Sequence, residues 1–394
     1  MWYQYVELFA EPANMPARPR LDKITLRGFK TIRELKGFCP GSLSVLIGPN
    51  GAGKSNFTSF FKFLSFALTP PGILQEYVGT QGGASALLHD GPDRTRDIEL
   101  EVRVSTTAGE NDYSFRLAYA AEDSLIFAEE KYRFSSAKLP TPAQWIGLGA
   151  GHREARIIGR AEQGDKTAQT IWSLLRKLIL HQFHNTSETA RIRQKWDVEE
   201  GRWLKGDAGN LAPFLLRLRT QRPPYYHRIL ETVRLILPFF ADFELEPEFG
   251  RVLLRWRERN SDYVFNASQA ADGMLRVLAL VALLQQPEED LPNVLVLDEP
   301  ELGLHPYAIE IIAGLIRAAS QHAQVILATQ SVSLIDRFTP EDTVVVEREG
   351  RESRFRRLAS DALEEWLQAY TLSELWEKNV IGGRPQLDQA SSRR

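Results

Sequence analysis

The alternation of apolar and polar positions changes character several times along the chain. Segments with a period of two lie at 21–29, 98–104, 113–120 and 125–134. They predict β-strands, and the last three, separated by short polar turns, are expected to form an antiparallel meander. Continuous apolar runs lie at 43–47, 294–297 and 324–328. Such runs predict strands buried on both faces, as in a parallel sheet. We expect the strands at 21–29 and 43–47 to pair with each other.

Apolar spacing typical of helices takes over between about 152 and 240. One apolar stripe comprises Ile171, Leu174, Leu175, Leu178, Ile179 and Phe183. Further helices are predicted at 211–220, with Asn210 as the cap, and at 226–237, 306–319 and 362–378. The predicted fold class is therefore α/β, with an antiparallel β lobe and a mainly helical insertion.

The changes in pattern divide the chain into four segments. These are an N-terminal arm at 1–20, a first part of the core with the β lobe at 21–134, a mainly helical basic insertion at 135–242, and a second part of the core at 243–394. Three prolines in the arm favour irregular structure there.

One stretch carries a recognisable chemical motif. Residues 48–55 read Gly-Pro-Asn-Gly-Ala-Gly-Lys-Ser between a predicted buried strand and a predicted helix, which is the context of a phosphate-binding loop. Lys54 is expected to reach the β- and γ-phosphates, and the Ser55 hydroxyl to bind Mg²⁺. The predicted nucleotide-binding residues of this loop are Asn50, Gly51, Ala52, Gly53, Lys54, Ser55 and Asn56.

A second chemical signal follows the apolar run at 294–297. The run ends in Asp298-Glu299-Pro300, and parallel sheets bind ligands at the carboxyl ends of their strands. Asp298 is expected to hold Mg²⁺ alongside Ser55, and Glu299 to orient and polarise the attacking water. Because 244 positions separate Lys54 from Asp298, the material between them is predicted to be inserted into one ATPase core.

Three further polar residues are candidates for contact with phosphate or metal. Lys30 lies in the turn after the first strand, and Gln75 and Gln81 lie near the glycine-rich link that follows the phosphate loop helix. For all three, a solvated side chain is the simpler interpretation.

Composition narrows the class of protein. An apolar fraction of 43% over 394 residues provides a substantial core. The single cysteine, Cys39, excludes an internal disulfide and a cysteine-based metal cluster. Because the apolar runs are too short to span a bilayer, we expect a cytoplasmic protein without a membrane role.

Charge is distributed unevenly along the chain. Residues 152–234 contain sixteen Lys or Arg and nine Asp or Glu, a net charge of +7, whereas the whole chain carries −3. The segment is therefore either a contact surface for a nucleic acid backbone or a solvated surface whose arginines pair with acidic neighbours. Aromatic and basic residues do not alternate in a way that marks a base-stacking platform.

Four motifs together resemble the ABC-type ATPase heads of the RecF/SMC/OLD group. They are GPNGAGKS at 48–55, ADG followed by LRVLAL at 271–280, VLVLDEPELGLHP at 294–306 and VILATQS at 325–331. Within the group, the chain is similar to stand-alone bacterial ATPases of the AAA-21, or RecF-like, type. The resemblance implies a P-loop ABC-type head that binds ATP with Mg²⁺ and hydrolyses the ATP.

The resemblance also implies a role for a second copy of the chain. In this group, the signature loop of one head covers the γ-phosphate held by another, so ATP is expected to join a homodimer or a higher oligomer. Ala271, Asp272 and Gly273 form the signature loop here, and Ala271 replaces the usual serine. The lost hydroxyl predicts hydrolysis that is roughly ten- to a hundredfold slower. Gln330 takes the catalytic switch position, and His305 is either structural or catalytic.

The resemblance suggests a setting in anti-phage defence or DNA repair. The leading hypothesis is an ATP-driven switch that acts on or senses nucleic acid through 152–234, together with a separately encoded effector such as a TOPRIM-like nuclease. The alternative is an ATP-gated scaffold that sequesters a toxic effector protein without binding DNA. A transporter subunit is disfavoured because the Asp-Glu-Pro-Glu-Leu-Gly-Leu-His-Pro form and the large insertion differ from that branch.

Overall fold

A computed structural model describes residues 18–69, 73–139, 143–361 and 363–383. Most of the predicted arm at 1–20 lies outside these residues. The strands are β1 (Arg20–Phe29), β2 (Ile32–Phe38), β3 (Leu43–Ile47), β4 (Asp97–Thr106), β5 (Gly109–Ala120), β6 (Ser124–Ser136), β7 (Ile146–Gly149), β8 (Leu180–His181), β9 (Trp196–Asp197), β10 (Phe240–Phe243), β11 (Arg251–Val252), β12 (Arg255–Glu258), β13 (Val264–Asn266), β14 (Val294–Asp298), β15 (Gln324–Ala328), β16 (Thr343–Glu349) and β17 (Glu352–Arg357). The α-helices are α1 (Lys54–Ala67), α2 (Ile73–Thr80), α3 (Ile157–Glu162), α4 (Lys166–Leu175), α5 (Leu211–Gln221), α6 (Pro223–Ile236), α7 (Asp272–Leu284), α8 (Pro306–Ser320), α9 (Val332–Ile335), α10 (Glu364–Leu367) and α11 (Leu372–Glu377).

The core sheet has the strand order β17-β16-β3-β15-β14-β8. From β16 to β8 neighbouring strands run parallel, and β17 closes one edge antiparallel to β16. Strands β3, β14 and β15 are buried at every position, which explains their continuous apolar sequences. The α/β prediction with a parallel core sheet is confirmed.

The second sheet is antiparallel, with the order β2-β1-β4-β5-β6-β7. It contains the predicted meander of β4, β5 and β6. The predicted pairing of 21–29 with 43–47 is wrong, because β1 pairs with β2 and β4. The burial of β1 varies along the strand, as expected in a sheet with one covered face, whereas β3 is buried on both faces and belongs to the core sheet.

Helix α1 joins the two sheets. Four of its five phenylalanines, Phe57, Phe60, Phe61 and Phe63, are each 0% exposed. They belong to one apolar cluster with side chains from the core sheet and from the antiparallel sheet. The helix that leaves the phosphate loop is therefore held from both sides by packing.

The basic insertion contributes to both cores. Side chains of α3 and α4 lie in the apolar cluster of the antiparallel sheet, whereas those of α5 and α6 pack with α7 and α8 in the other cluster. Between them, the two-residue strand β8 extends the core sheet beside β14. The insertion therefore supplies β8, the edge strand of the core sheet, which lies next to the strand β14 that ends in Asp298.

Two helix predictions need correction. Asn210 stands at the N-cap of α5 but makes no side-chain cap, because its side chain accepts from Lys205 N (2.9 Å) and donates to the Glu200 and Trp203 carbonyls. The single helix predicted at 362–378 is two short helices, α10 and α11. A capping box at Thr371 starts the second one.

Candidate nucleotide site

The phosphate loop connects β3 to α1 and needs glycine at particular positions. Gly48 and Gly53 have φ values of 154° and 110°, a region that favours glycine. A Cβ atom at Gly48 would lie 2.1 Å from the Val346 carbonyl oxygen, and one at Gly53 would lie 2.0 Å from Ser353 Oγ. The two glycines therefore allow the loop to pack directly against β16 and β17.

Polar contacts from β17 of the core sheet and from the antiparallel sheet support the phosphate loop. The Ser353 hydroxyl donates to the Ala52 carbonyl (2.6 Å) and lies 2.7 Å from Thr31 Oγ1. Thr31 Oγ1 also accepts from Asn56 Nδ2 at 2.8 Å. Since Thr31 lies in the turn between β1 and β2, the antiparallel sheet helps to fix the loop.

Lys54 is a buried cation at this loop, with 4% of its surface exposed. Its Nζ donates to the carbonyls of Gly48 (2.6 Å) and Pro49 (3.0 Å). Burial lowers the pKa of Lys54, while the nearby Glu299 and Asp298 carboxylates favour its charged form. The ammonium group and the carboxylates at the end of β14 thus share one electrostatic environment.

Parallel pairing brings the ends of the core strands together. Ala328 pairs with both Leu46 and Asp298. Two backbone hydrogen bonds extend this alignment beyond the strands, from Thr329 N to Leu46 O (3.0 Å) and from Glu299 N to Ala328 O (2.8 Å). Three segments consequently lie side by side at the same edge of the sheet. They are the phosphate loop, the Asp298-Glu299 pair and the turn that contains Gln330.

Asp298 has one carboxylate oxygen without a hydrogen-bond partner among the described residues. The residue is 2% exposed. Its Oδ2 accepts from Gln182 Nε2 at 2.7 Å, whereas Oδ1 is buried without a partner. Burial raises the pKa of Asp298. A buried carboxylate oxygen of this kind suits a hard cation.

Glu299 and Gln330 are in direct contact. Gln330 Nε2 donates to Glu299 Oε1. Glu299 also has a positive φ of 44°, which is uncommon for a residue with a side chain and often occurs at functional sites. The contact holds the Glu299 carboxylate beside the end of β15.

A third carboxylate, Glu301, was not singled out from the sequence. It is 8% exposed, and its Oε1 accepts from the Thr329 hydroxyl. Burial raises the pKa of Glu301. Glu301 thus ties the loop after β14 to the residue that precedes Gln330, and its place in the Asp-Glu-Pro-Glu motif was the signal that could have identified it.

Sequence reasoning also missed two residues that follow β8. Gln182 bonds the Asp298 carboxylate, and His184 Nε2 lies 3.1 Å from the Asp298 carbonyl oxygen. A strand of two residues gives no periodic signal, so only the pairing of Leu297 with His181 reveals their location.

The other candidates have structural contacts. Gln75 Nε2 donates to the carbonyl of Leu125 (2.9 Å) in the β lobe and to that of Arg153 (3.3 Å) in the loop between β7 and α3. Lys30 Nζ lies 3.1 Å from Ser59 Oγ, and burial lowers the pKa of Lys30. His305 Nδ1 accepts from the Tyr307 N–H and caps α8. Gln81 is half-buried.

The signature loop stands apart from these groups. Ala271 is the N-cap of α7, and both Ala271 and Asp272 are exposed. Among the described residues, no hydrogen bond joins the signature loop to the phosphate loop of the same chain. A Cβ atom at Gly273 would lie 3.0 Å from the Gly303 carbonyl oxygen, so the signature loop packs against the loop that follows Glu299.

The donor set fits Mg²⁺ held together with a nucleotide. Ser55 is exposed at the start of α1, and Asp298 offers its unpaired oxygen. No group of three or more His, Cys, Asp or Glu side chains in the described part of the chain is arranged for a metal by itself. Magnesium commonly binds through one or two protein oxygens with substrate phosphates, which matches this arrangement.

Comparison with known families decides the class of the protein. Residues 43–336 match a family model described as "AAA domain, putative AbiEii toxin, Type IV TA system". The chain belongs to this AAA_21 family. No curated protein sequence matches the chain. None of the helices in the described part of this AAA_21 protein has the length and apolar character needed to cross a membrane.

Solved structures show the fold of this AAA_21 protein. It is similar to an SMC head bound to the C-terminal winged-helix domain of ScpA, with a TM-score of 0.59, 14% identity, and coverage of 88% of this chain and 99% of the other. An SMC head with an extended coiled coil, bound to the C-terminal domain of ScpA derived from Pyrococcus furiosus, gives a TM-score of 0.55 at 14% identity, with coverage of 89% and 99%. The predicted AAA-21 family is confirmed by the family match, and the predicted ABC-type head fold is confirmed by the likeness to the SMC heads.

The contact between Gln182 and Asp298 can be tested through the dependence on magnesium. Replacing Gln182 with Leu is expected to raise the Mg²⁺ concentration for half-maximal ATP binding by about tenfold or more, since partners of metal ligands typically contribute that much. Gln75→Leu is the matched control, because Gln75 bonds the β lobe. A magnesium titration that gives equal midpoints for both variants would contradict the assignment of Gln182.

Proposed function

We propose that the protein is an ATP-hydrolysing molecular switch. The observation that carries this proposal is the gathering of Lys54, Asp298, Glu299 and Gln330 at one edge of the parallel sheet. The AAA_21 match and the SMC-type fold support a P-loop ATPase. In the proposal, Ser55 and Asp298 hold Mg²⁺, which neutralises charge on the phosphates when it is bound.

The chain's own groups account for the remaining chemistry. Lys54 supplies a fixed positive charge to the β- and γ-phosphates in place of the Gly48 and Pro49 carbonyls that it now contacts. Glu299 orients the attacking water and accepts its proton. Gln330 holds the Glu299 carboxylate and has no titratable group of its own.

We infer that two chains complete each ATP site. The exposed N-terminus of α7 offers backbone N–H groups suited to a phosphate. Ala271 and Asp272 have no hydrogen bond to their own phosphate loop among the described residues. A second copy would bring its signature loop to the γ-phosphate, so ATP would hold a homodimer or a higher oligomer together and hydrolysis would release it.

The basic segment 152–234 has less free charge than its composition indicates. Eight of its sixteen basic side chains form ion pairs with carboxylates: Arg191, Arg193, Lys195, Lys205, Arg217, Arg219, Arg222 and Arg228. The acidic turn Glu288–Asp290 takes three of them. This pairing favours a structural role for much of the segment.

The first part of the segment remains the better candidate for nucleic acid. Residues 153–177 present six exposed basic side chains, which are Arg153, Arg156, Arg160, Lys166, Arg176 and Lys177. We propose that nucleic acid is sensed through this face. The alternative is an ATP-gated scaffold that sequesters a toxic effector without DNA. The family description names a putative toxin of a toxin–antitoxin system, which supports a defence setting. A separately encoded effector partner is part of the proposal in either case, and a role in DNA repair is the other setting.

ATP-dependent assembly is the first test. In Glu299→Gln, loss of the proton-accepting carboxylate is expected to trap an ATP-bound dimer, visible by light scattering as a doubling of mass with ATP and Mg²⁺. Lys54→Ala is the control and should stay monomeric, because it lacks the cation that holds the phosphates. Equal masses with and without ATP for Glu299→Gln would exclude ATP-driven dimerisation.

A salt titration separates the nucleic-acid switch from the scaffold. With ATP present, DNA affinity is expected to fall linearly with the logarithm of salt concentration. Arg160→Gln combined with Lys166→Gln should weaken binding more than Arg219→Gln combined with Arg222→Gln, because the latter pair is already neutralised by Glu246 and Glu289. Absence of DNA binding, or affinity independent of salt, would favour the scaffold.

A further inference from the structure

One side chain of the basic segment reaches the signature loop. Arg193 has a side chain that is 9% exposed. Its guanidinium donates to the carbonyls of Ala267 and Ala270, with 3.1 Å to the latter, and forms an ion pair with Asp272 at 3.0 Å. The planar fork of arginine suits such a set of acceptors. Arg193 therefore holds the backbone that precedes the signature loop, at Ala267 and Ala270. It also holds Asp272, the acidic residue of the signature loop.

Asp272 places a negative charge where the proposed dimer must accept an anion. It is the first residue of α7, and its side chain is 59% exposed. A helix N-terminus attracts phosphate through its free N–H groups, but a carboxylate at the same end repels phosphate. The ion pair with Arg193 offsets this repulsion.

The segment that carries Arg193 is also connected to the metal carboxylate. At its start, Gln182 and His184 contact Asp298. At its end, Arg193 holds Asp272. Residues 182–193 thus contact Asp298 at one end and the signature loop at the other. In the proposed dimer, Asp298 belongs to the ATP site of its own chain, whereas the signature loop completes the ATP site of a second copy.

We propose that Arg193 is a positioning residue for the composite ATP site. It holds the signature loop in the shape that receives the γ-phosphate of a second copy's ATP, and it neutralises Asp272 for that encounter. This inference rests on the proposed function, because only an assembled pair of chains brings the signature loop to a phosphate.

The test uses the full chain in the Glu299→Gln background. Adding Arg193→Gln is expected to weaken ATP-dependent dimerisation by roughly ten- to a hundredfold, the range for lost hydrogen bonds to charged groups. Binding of a fluorescent ATP analogue to the monomer should not change, because the hydrogen bonds of Arg193 are to Thr186 and to residues 267–272. The matched control is Arg257→Gln, since Arg257 likewise bonds a carboxylate, Glu244 (2.8 Å), and a carbonyl, that of Asp262 (3.3 Å).

A second substitution separates charge neutralisation from simple bracing. Asp272→Asn, added to Arg193→Gln, should restore dimerisation by roughly two- to fivefold, because it removes the carboxylate from the helix N-terminus. Asp272→Asn alone alters an exposed side chain, so the fold should persist, and it should tighten the dimer by a smaller factor, because Arg193 already offsets the carboxylate there. If Arg193 were a purely structural brace, Asp272→Asn would give the same factor with and without Arg193.

Each outcome decides the proposal. If Glu299→Gln does not dimerise with ATP, the proposed function fails, and the inference fails with it. If Glu299→Gln dimerises and Arg193→Gln does so equally well, the inference alone is overturned. If Arg193→Gln fails to fold, Asp272→Asn alone decides, and a dimer that is no tighter than the parent would overturn the role of Arg193.

Discussion

Parallel pairing of β3, β15 and β14 is the constraint on which the candidate site depends. Ala328 stands between Leu46 and Asp298 in the sheet, so three chain segments turn out of the sheet side by side. A shift of one residue between β14 and β15 would turn Asp298 to the other face, away from Lys54. The continuous apolar sequences of these strands bury both faces and make such a shift costly.

The antiparallel sheet and the insertion both contribute to this edge. Thr31 from the antiparallel sheet supports the phosphate loop through Ser353 and Asn56. Gln182 from the insertion bonds Asp298. The extra material between Lys54 and Asp298 is therefore part of the site's support as well as an addition to a minimal ATPase.

Sequence patterns predicted the parts of the site whose chemistry is local. The phosphate loop and Asp298-Glu299 each combine a motif with a buried strand, so their convergence follows from the geometry of parallel sheets. The contact of Gln330 with Glu299 agrees with a switch position, although its catalytic role stays a prediction. The roles of Ala271 and Gly273 depend on a second chain and stay predictions as well.

What the sequence did not reveal depends on contacts between distant segments. Strand β1 was assigned to the wrong partner. The alternation of apolar and polar residues indicates that one face of a strand is covered, but it does not show to which sheet the strand belongs. Gln182 follows a strand too short to produce a period. The excess positive charge of 152–234 suggested a binding surface, but half of its basic side chains form ion pairs with carboxylates. Amino-acid composition does not show which basic residue pairs with which acidic one. The sequence also offered no reason to single out Arg193 among the basic residues of 152–234, because its partner Asp272 is 79 positions away.

The central claim is that each ATP site is built from two chains, and complementation tests it most directly. Lys54→Ala removes the phosphate-binding cation and leaves the signature loop intact. Ala271→Arg blocks the exposed signature loop and leaves the phosphate loop intact. The account predicts that an equimolar mixture releases phosphate from ATP well above the rate of either variant alone, since a mixed dimer contains one intact site. A mixture that is no more active than the average of the two variants would contradict it.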